Sequence, residues 1–410
     1  MKSIILLASA LALSATVASA TTTTVHLTGS TAFRSATHTA IYNYLQAHYS
    51  NVEADYVGSS FGGASQAIFD GADGSGNHFR VVTFWSGSDK GILDTATPNT
   101  LSWLDGTNLT GSSGQHQITG TPSTTDSHAP EATMADNSQT ESGHVAGFTA
   151  LSGTQVGVVP FVFAKGATND TTVAASLANV TNISSSQLWT LLGSKASATP
   201  ADGEVAPLSV LTGNSADVIY PAIVFGRDNG SGTRLDTFTE SGYGRDTVPM
   251  QYEVSATSGG AITAVSLNAS GTSGYAGGGT LIANLNTPVA SGKNYVTFGY
   301  AGLSDASNLA GAGFNSTTGT FSGSNILTYN GVAMSYANVR EGKYSLWNYE
   351  YLYKLPSGLS SDQNTLITGV GTQLTNTDAA ISGILLSTMD VIRLNTVTDA
   401  IESLNPPTLN

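Results

Sequence analysis

The chain has no cysteine and few basic residues. Its 410 residues include only 14 lysines and arginines against 28 aspartates and glutamates, and its formal net charge is −14. The missing cysteines exclude disulfides, thiolate metal sites and a lipid-modified N-terminal cysteine. The acidic balance argues against nucleic acid or an anionic membrane as a partner, so any bound anion must be held by local donors.

Long hydrophobic runs are also missing after the first 20 residues. Lys2 precedes an apolar stretch at residues 4–17, which is short for a membrane span, and Ala18 and Ala20 form a small-residue processing site. We predict that residues 1–20 are a secretory signal peptide and that the mature chain begins near Thr21. The protein is then expected in the periplasm or outside the cell.

The remaining composition is that of a globular protein rich in strands and loops. Hydrophobic residues make up 40 % of the chain and charged residues only 10 %, so Thr, Ser, Asn and Gly supply much of the polar surface. The apolar patterns predict strands at 25–27, 66–69, 80–85, 132–135, 156–163 and 295–300, an exposed hairpin at 252–267, and helices after residues 33, 184 and 274. Residues 95–153 are predicted to be a long surface excursion interrupted by one small strand.

The most informative segment is the sequence RDNGSGT at residues 227–233, directly after an apolar run. Arg227 offers a planar, permanently charged fork, and Ser231, Gly232 and Thr233 can turn consecutive backbone N–H groups inward and open a helix. No lysine follows the glycines, so this is not a nucleotide-binding P-loop. A capped glycine turn is the purely structural alternative, and the arginine at the strand end favours an oxyanion site.

A second helix start lies near the beginning of the chain. Ser30 and Thr31 follow the first predicted strand and precede an amphipathic helix, where helix N-caps belong. They are therefore either simple caps or a second helix N-terminus that faces an anion, and the two roles are compatible.

In order and spacing, these motifs resemble the periplasmic phosphate-binding proteins of ABC transporters. The resemblance rests on GSTAF at 29–33, the strand at 156–163, RDNGSGT at 227–233 and GKYSLW at 342–347, and it covers most of the mature chain. It implies an α/β, two-lobed class II periplasmic-binding-protein fold with the ligand between the lobes. Lobe I would comprise residues 21–155 and 297–410, and lobe II residues 156–296, with an inserted hairpin at about 250–272.

The resemblance also implies a function and a set of binding residues. The protein would be a monomeric binding protein, not an enzyme, that captures inorganic phosphate for a membrane permease without a cofactor or a metal. Thr31, Ala32 and Phe33 would donate from lobe I, and Arg227 and residues 231–233 from lobe II. The family usually has an aspartate at the position of Asn229, which orients the arginine; here the acid is Asp228, and the way in which Arg227 is held is open.

The family further uses a serine loop and an aspartate, for which two assignments compete. In one, Ser59 and Ser60 form the loop and Asp89 is the acid. In the other, which we prefer, the loop is Ser86, Gly87 and Ser88, and the acid is Asp136, because Asp136 lies at the family's distance before the strand at 156–163. The acid accepts the proton of hydrogen phosphate, whereas sulfate has no proton to donate, which gives specificity by repulsion.

Other patterns in the sequence correspond to different functions. The sequence GSSFG at 58–62, with Asp126 and His128 or His144, fits the order of a serine hydrolase triad. A metal set of His116, His128 and His144 lacks ligand spacing. A Thr/Gly-rich all-β surface protein would explain the composition but not the two helix-opening loops. The ion could also be arsenate, or phosphate captured by a free scavenger.

Overall fold

The structure is a computed structural model that describes residues 20–193, 205–244, 247–268, 273–394 and 401–403. The predicted signal peptide, apart from Ala20, lies outside the described residues. Among the described residues, no helix is both long and apolar enough to span a bilayer.

The strands are numbered in chain order. They are β1 (Thr22–Gly29), β2 (Ser50–Val57), β3 (Gln66–Ala72), β4 (His78–Phe84), β5 (Leu101–Trp103), β6 (Gly114–Gln117), β7 (Asp126–His128), β8 (Ala132–Ala135), β9 (Ser152–Lys165), β10 (Asn182–Ile183), β11 (Ala222–Phe225), β12 (Tyr252–Ser258), β13 (Ala261–Leu267), β14 (Val296–Gly302), β15 (Phe314–Asn315), β16 (Thr320–Phe321), β17 (Thr328–Tyr329), β18 (Trp347–Lys354), β19 (Val391–Arg393) and β20 (Ile401–Ser403).

The helices flank these strands in the sequence. They are α1 (Arg34–His48), α2 (Ser88–Ala96), α3 (Gln139–Ser142), α4 (Thr171–Ala178), α5 (Ser185–Gly193), α6 (Ser209–Thr212), α7 (Gly232–Glu240), α8 (Gly278–Asn286), α9 (Leu303–Ala306), α10 (Tyr336–Arg340) and α11 (Ser361–Asn376). Helix α1 buries the apolar stripe Ala36, Ala40, Ile41, Tyr44 and Leu45, as its spacing predicts.

One mixed sheet of twelve strands organises the chain. Its order is β13-β12-β11-β14-β9-β18-β8-β1-β4-β3-β2-β6. Two sets of parallel strands lie within it: β4, β1 and β8 in one half, and β14, β11 and β12 in the other. The predicted α/β class is confirmed, and an all-β surface protein is excluded. The boundaries of the two predicted lobes stay a prediction.

Strand β9 joins the two halves of the sheet. Its residues from Ser152 to Pro160 pair with β18, and those from Phe161 to Lys165 pair with β14. The strand therefore changes its partner between Pro160 and Phe161. Buried apolar side chains fill the strand from Val156 onward, which explains why its sequence is a continuous apolar run.

The excursion at 95–153 holds more structure than we expected. The prediction of one small strand is wrong, because β5, β6 and β7 also form there, together with α3. These strands are short, and they form by pairing: β6 adds to β2, and β5 pairs with β7. The segment covers a small second core of Ile68, Val82, Trp103 and Leu104. The predicted hairpins β3–β4 and β12–β13 are both present.

Candidate anion-binding site

Three loops of the first half meet at the carboxyl ends of their strands. Strand β1 lies between β8 and β4 and is parallel to both, so the chain leaves all three strands on the same side. Gly29 leads to Ser30 and Thr31, Phe84 leads to Ser86 and α2, and Ala135 leads to Asp136. Carboxyl ends of parallel strands form the crevice in which ligands of open α/β sheets bind.

A fourth loop approaches from the second half. Strand β11 ends at Phe225, and the chain then passes through Arg227 to Ser231, which caps α7 by accepting a hydrogen bond from the Arg234 N–H at 3.3 Å. Arg227 is 1 % exposed, and Ser231 and Thr233 are each 2 % exposed. The residues of the RDNGSGT segment thus form a buried helix start, as the motif predicted.

The loops from the two halves are in contact. Nη2 of Arg227 donates to Oγ1 of Thr31 at 3.3 Å, and the hydroxyl of Thr233 donates to Oδ2 of Asp136 at 3.1 Å. The Asp136 N–H donates in turn to the Ser88 hydroxyl at 3.3 Å. The structure therefore brings together one predicted binding residue from each of the loops at residues 30–33, 86–88, 136 and 227–233.

Two glycines make this close approach possible. A Cβ at Gly232 would overlap the Asp136 carboxylate and the Asn137 side chain, so only hydrogen fits there. Gly87, the N-cap of α2, has φ of 100°, and the carbonyl of Gly230 packs against it and accepts from the Lys90 N–H at 3.2 Å. Larger side chains at either position would force the loops apart.

Helix starts supply unpaired donors at the same place. The backbone N–H groups of Ala32, Phe33, Gly232 and Thr233 have no protein acceptor in the described part of the chain. Helix N-termini also carry a partial positive charge. Phe33 and Ala32 are buried, and their side chains belong to the main core, so it is their backbone that faces the loops.

Arg227 is held by backbone carbonyls and not by an acid. Its Nε donates to the Tyr275 carbonyl at 2.9 Å, and Nη2 also donates to the Ala276 carbonyl at 2.8 Å. Asp228 instead accepts from the Gly230 N–H at 3.1 Å. Among the described residues no carboxylate forms a salt bridge with Arg227, so its charge is available to an anion. The glycine-rich turn before α8 thus does what the family's aspartate does.

Asp136 and Glu350 form a buried acidic pair at this site. Burial raises the pKa of Asp136, while the Ser88 and Thr233 hydroxyls and Arg227 oppose the shift. Burial and the neighbouring Asp136 raise the pKa of Glu350 well above its usual range, although its carboxylate accepts from the Ser30 hydroxyl at 3.3 Å. One carboxylate oxygen of each residue has no hydrogen-bond partner. Burial and the neighbouring Asp136 thus both favour the protonated form of Glu350.

A buried ion pair stands beside Arg227. Nη2 of Arg34, the first residue of α1, lies 3.6 Å from Oδ1 of Asp305 in α9. Burial raises the pKa of Asp305, and Arg34 and Arg227 counteract this rise. Arg34 therefore brings a second positive charge to the site, partly compensated by an acid from the other half of the sheet.

The alternative loop lies away from this site, and the alternative acid, Asp89, follows Ser88 in α2 but turns to another partner. Ser59 and Ser60 are exposed, and the Ser60 hydroxyl accepts from the Gly63 N–H at 3.2 Å. Asp89 points to His144, whose Nε2 lies 3.2 Å from Oδ2. This geometry favours Ser88 and Asp136 over Ser60 and Asp89, in line with our preferred assignment.

The residues of the proposed hydrolase triad are engaged separately. Asp126 pairs with Nε2 of His26 at 2.9 Å, the ring of His128 stacks on that of His26, and His144 pairs with Asp89. Asp126 and His128 thus both contact His26, His144 contacts Asp89, and the Ser60 hydroxyl accepts from the Gly63 N–H, so the structure does not favour a hydrolase.

Sequence reasoning missed Arg34, Asp305 and Glu350. Arg34 directly follows the GSTAF motif, and a charged residue next to such a motif was the available signal. Glu350 is the one acid in the aromatic strand WNYEYLYK, and a single acid among apolar side chains was the available signal. Asp305 carried no local signal.

Comparisons with known proteins give likenesses of structure only. No family model and no curated protein sequence matches the chain. It is similar to an ABC-type phosphate transport receptor from Vibrio cholerae (13 % identity, TM-score 0.44, 89 % of this chain and 100 % of that one). It is also similar to PstS from Borrelia burgdorferi (11 %, 0.36, 88 % and 98 %) and to a phosphate-binding protein from Stenotrophomonas maltophilia (12 %, 0.38, 85 % and 83 %). These structures bear the name of the family that the motifs resemble; at such TM-scores we rest the function on this chain's own geometry.

Proposed function

We propose that the protein binds inorganic phosphate, as hydrogen phosphate, where Thr31 and Arg227 meet. The observation that carries the proposal is the convergence of unpaired helix-start N–H groups, hydroxyls and an arginine without a salt bridge on one buried acid. A dehydrated phosphate has about a dozen acceptor lone pairs, and each one left unpaired costs roughly 1–3 kcal/mol. A site that encloses the ion must therefore surround it with donors.

Asp136 determines which anion the site prefers. Asp136 has an oxygen without a partner beside Gly232 and can accept the proton of hydrogen phosphate. Sulfate would present only lone pairs to it. Arsenate carries the same proton, so it is a competing ligand of the same class.

The cellular role that fits this binding is the delivery of phosphate to a membrane transporter. We propose that the protein is exported by cleavage of residues 1–20, acts as a monomer, and hands phosphate to the membrane permease of an ABC importer. It needs no nucleic acid partner and catalyses no reaction in this role.

Isothermal titration calorimetry with phosphate tests the binding. We expect one site per chain with micromolar or tighter affinity, about −8 kcal/mol or more favourable. Neither heat nor a thermal shift with phosphate would refute the proposal.

Asp136→Asn is expected to change the choice of anion. An amide can donate where the carboxylate only accepts, so phosphate should weaken and sulfate should strengthen, and the affinity ratio should shift about tenfold or more toward sulfate. Competition titrations with the two anions measure this ratio.

Asp89→Asn is the matched control for Asp136→Asn. It removes a nearby carboxylate that pairs with His144, and the ratio should stay unchanged. A ratio that moves with Asp89 and not with Asp136 would instead assign the loop to Ser59 and Ser60.

Phosphate is also expected to hold the two halves of the sheet together. Thr31 and Thr233 lie on opposite halves and can share one ion only while their loops are in contact. Small-angle X-ray scattering should give a smaller radius of gyration with saturating phosphate than without it. An identical profile at saturation would contradict closure.

A further inference from the structure

A second constellation lies at the far edge of the sheet, away from the anion site. Glu53 and Asp55 are two residues apart on β2, so their side chains share one face. Strand β6 pairs with β2 in parallel and places His116 opposite Asp55. One ligand atom from each of these three side chains lies within 4.8 Å of the other two. Strand pairing thus supplies the ligand spacing that the histidines lack in sequence.

Asp55 is buried in this place without a close hydrogen-bond partner. The residue is fully buried, and neither of its carboxylate oxygens makes a hydrogen bond in the described part of the chain. Its neighbour on β3 is Ile68, a member of the small second core. Buried carboxylates are otherwise paired or bound to metals, so Asp55 is a candidate ligand for a cation.

The surroundings of Asp55 agree with this reading. Nδ1 of His116 lies 3.7 Å from Oδ1 of Asp55. This is too long for a hydrogen bond, and it is close to the roughly 3.4 Å that separates two ligands of a tetrahedral metal with bonds of about 2.1 Å.

Glu53 is already oriented by an outer shell of donors. Its Oε2 accepts from the N–H groups of Gly111 at 2.9 Å and Ser112 at 3.1 Å, and from the Thr110 hydroxyl at 3.2 Å. The Thr110 hydroxyl also lies 3.2 Å from Nδ1 of His116. The donors at Oε2 orient Glu53 before an ion enters, whereas an ion bound through Nδ1 would replace the contact of His116 with Thr110.

A second histidine and carboxylate cluster among the described residues differs in this respect. Both ring nitrogens of His26 lie 2.9 Å from carboxylate oxygens, those of Glu131 and Asp126. His26, Glu131 and Asp126 therefore satisfy one another without an ion, and His128 stacks on the pair. This cluster provides an internal comparison for a test.

We propose that Glu53, Asp55 and His116 form a divalent-cation site of the zinc type. One imidazole and two carboxylates are ligands that Zn²⁺ accepts, whereas Ca²⁺ and Mg²⁺ take oxygen ligands. A water molecule would fill the fourth position. The His116 side chain is 32 % exposed, so an ion can reach the buried Asp55 from solvent on that side.

The bound ion would link the excursion at residues 95–153 to the sheet. Glu53 and Asp55 belong to the sheet itself, whereas His116 lies on the edge strand contributed by the excursion. The free energy of metal binding would therefore add to the stability of this attachment.

Titration of the whole chain with Zn²⁺ in phosphate-free buffer tests the site, with Co²⁺ absorption as a report of tetrahedral coordination. We expect one Zn²⁺ per chain. His116→Ala and Asp55→Asn should each weaken binding at least tenfold and abolish the Co²⁺ bands, and His128→Ala should change neither. Circular dichroism confirms that each variant is folded, and the part-exposed His116 makes its variant the safer of the two.

Three outcomes would overturn the site: no Zn²⁺ binding by the unchanged chain, binding that survives both His116→Ala and Asp55→Asn, or binding that depends on His128 instead. Arg227→Ala separates this test from that of the anion site. We expect the variant to lose phosphate binding and to bind Zn²⁺ as the unchanged chain does.

Discussion

Arg227→Ala is expected to weaken phosphate binding by about a hundredfold or more. The guanidinium is buried, no carboxylate of the described residues forms a salt bridge with it, and it reaches Thr31 on the opposite half of the sheet. Removing one partner of a buried charge pair costs about 3 kcal/mol or more, and every 1.4 kcal/mol is tenfold in affinity. Calorimetric titration with phosphate measures the loss.

Two further variants separate the role of the charge from that of the shape. Arg227→Lys keeps the charge but cannot donate at once to the carbonyls of Tyr275 and Ala276 and to Thr31, so an intermediate affinity is expected. Arg80→Ala removes an arginine that pairs with Asp70 on the β3–β4 hairpin and should leave the affinity unchanged. Full affinity in Arg227→Ala would remove this residue from the site.

Acidification is expected to destabilise the protein through His38. The side chain is fully buried; Nδ1 lies 2.8 Å from the Phe61 carbonyl, and Nε2 accepts from the Trp85 indole N–H at 2.8 Å. Burial lowers its pKa from 6.5 to about 3, the Phe61 carbonyl opposes the shift, and the nearby Arg34 charge adds to it. The native ring is therefore neutral, with its proton on Nδ1.

The sign of the effect follows from this depressed pKa. Between pH 6.5 and about 3 the unfolded chain binds a proton on His38 that the folded chain does not, so this contribution to stability is complete above pH 6.5 and is lost as the pH falls. At about 1.4 kcal/mol per pH unit, the loss reaches roughly 5 kcal/mol by pH 3. Urea unfolding at a series of pH values between 7 and 4 measures the slope.

His38→Gln should flatten this slope, because glutamine does not titrate. The matched control is His48→Gln, since His48 lies on the same helix with an exposed side chain, and its slope should follow that of the unchanged chain. Equal slopes in all three proteins would show that His38 does not govern the acid response.

The loops of the anion site could be predicted because each follows a strand. An apolar run that ends in Arg227, or a short strand that ends in Gly29, marks a strand-to-helix junction from local pattern alone. The choice between Ser88 with Asp136 and Ser60 with Asp89 could not be made in this way. It depends on which strands flank β1, and the sheet places β4 and β8 there.

The residues that sequence reasoning missed come from long-range contacts. Glu350 reaches Ser30 across 320 positions of the chain, and Asp305 reaches Arg34 from the other half of the sheet. No periodicity links such residues, because strand order and register bring them together. The short strands of the excursion were missed for a related reason: Gly114 and His116 have no strong strand preference of their own, and β6 exists through its pairing with β2.

The change of pairing partner along β9 determines where the two halves of the sheet can rotate against each other. Proline has no N–H, so residue 160 donates no hydrogen bond at the point where the ladder passes from β18 to β14. A rotation of one half of the sheet against the other about this point would break few bonds, whereas rotation farther along β9 would disrupt its regular pairing with β14 at residues 161–165 or with β18 at residues 152–155. We therefore expect β9 to twist most easily at Pro160. The resistance of the strand to twisting at this point would then set how readily the two halves separate and the anion site opens.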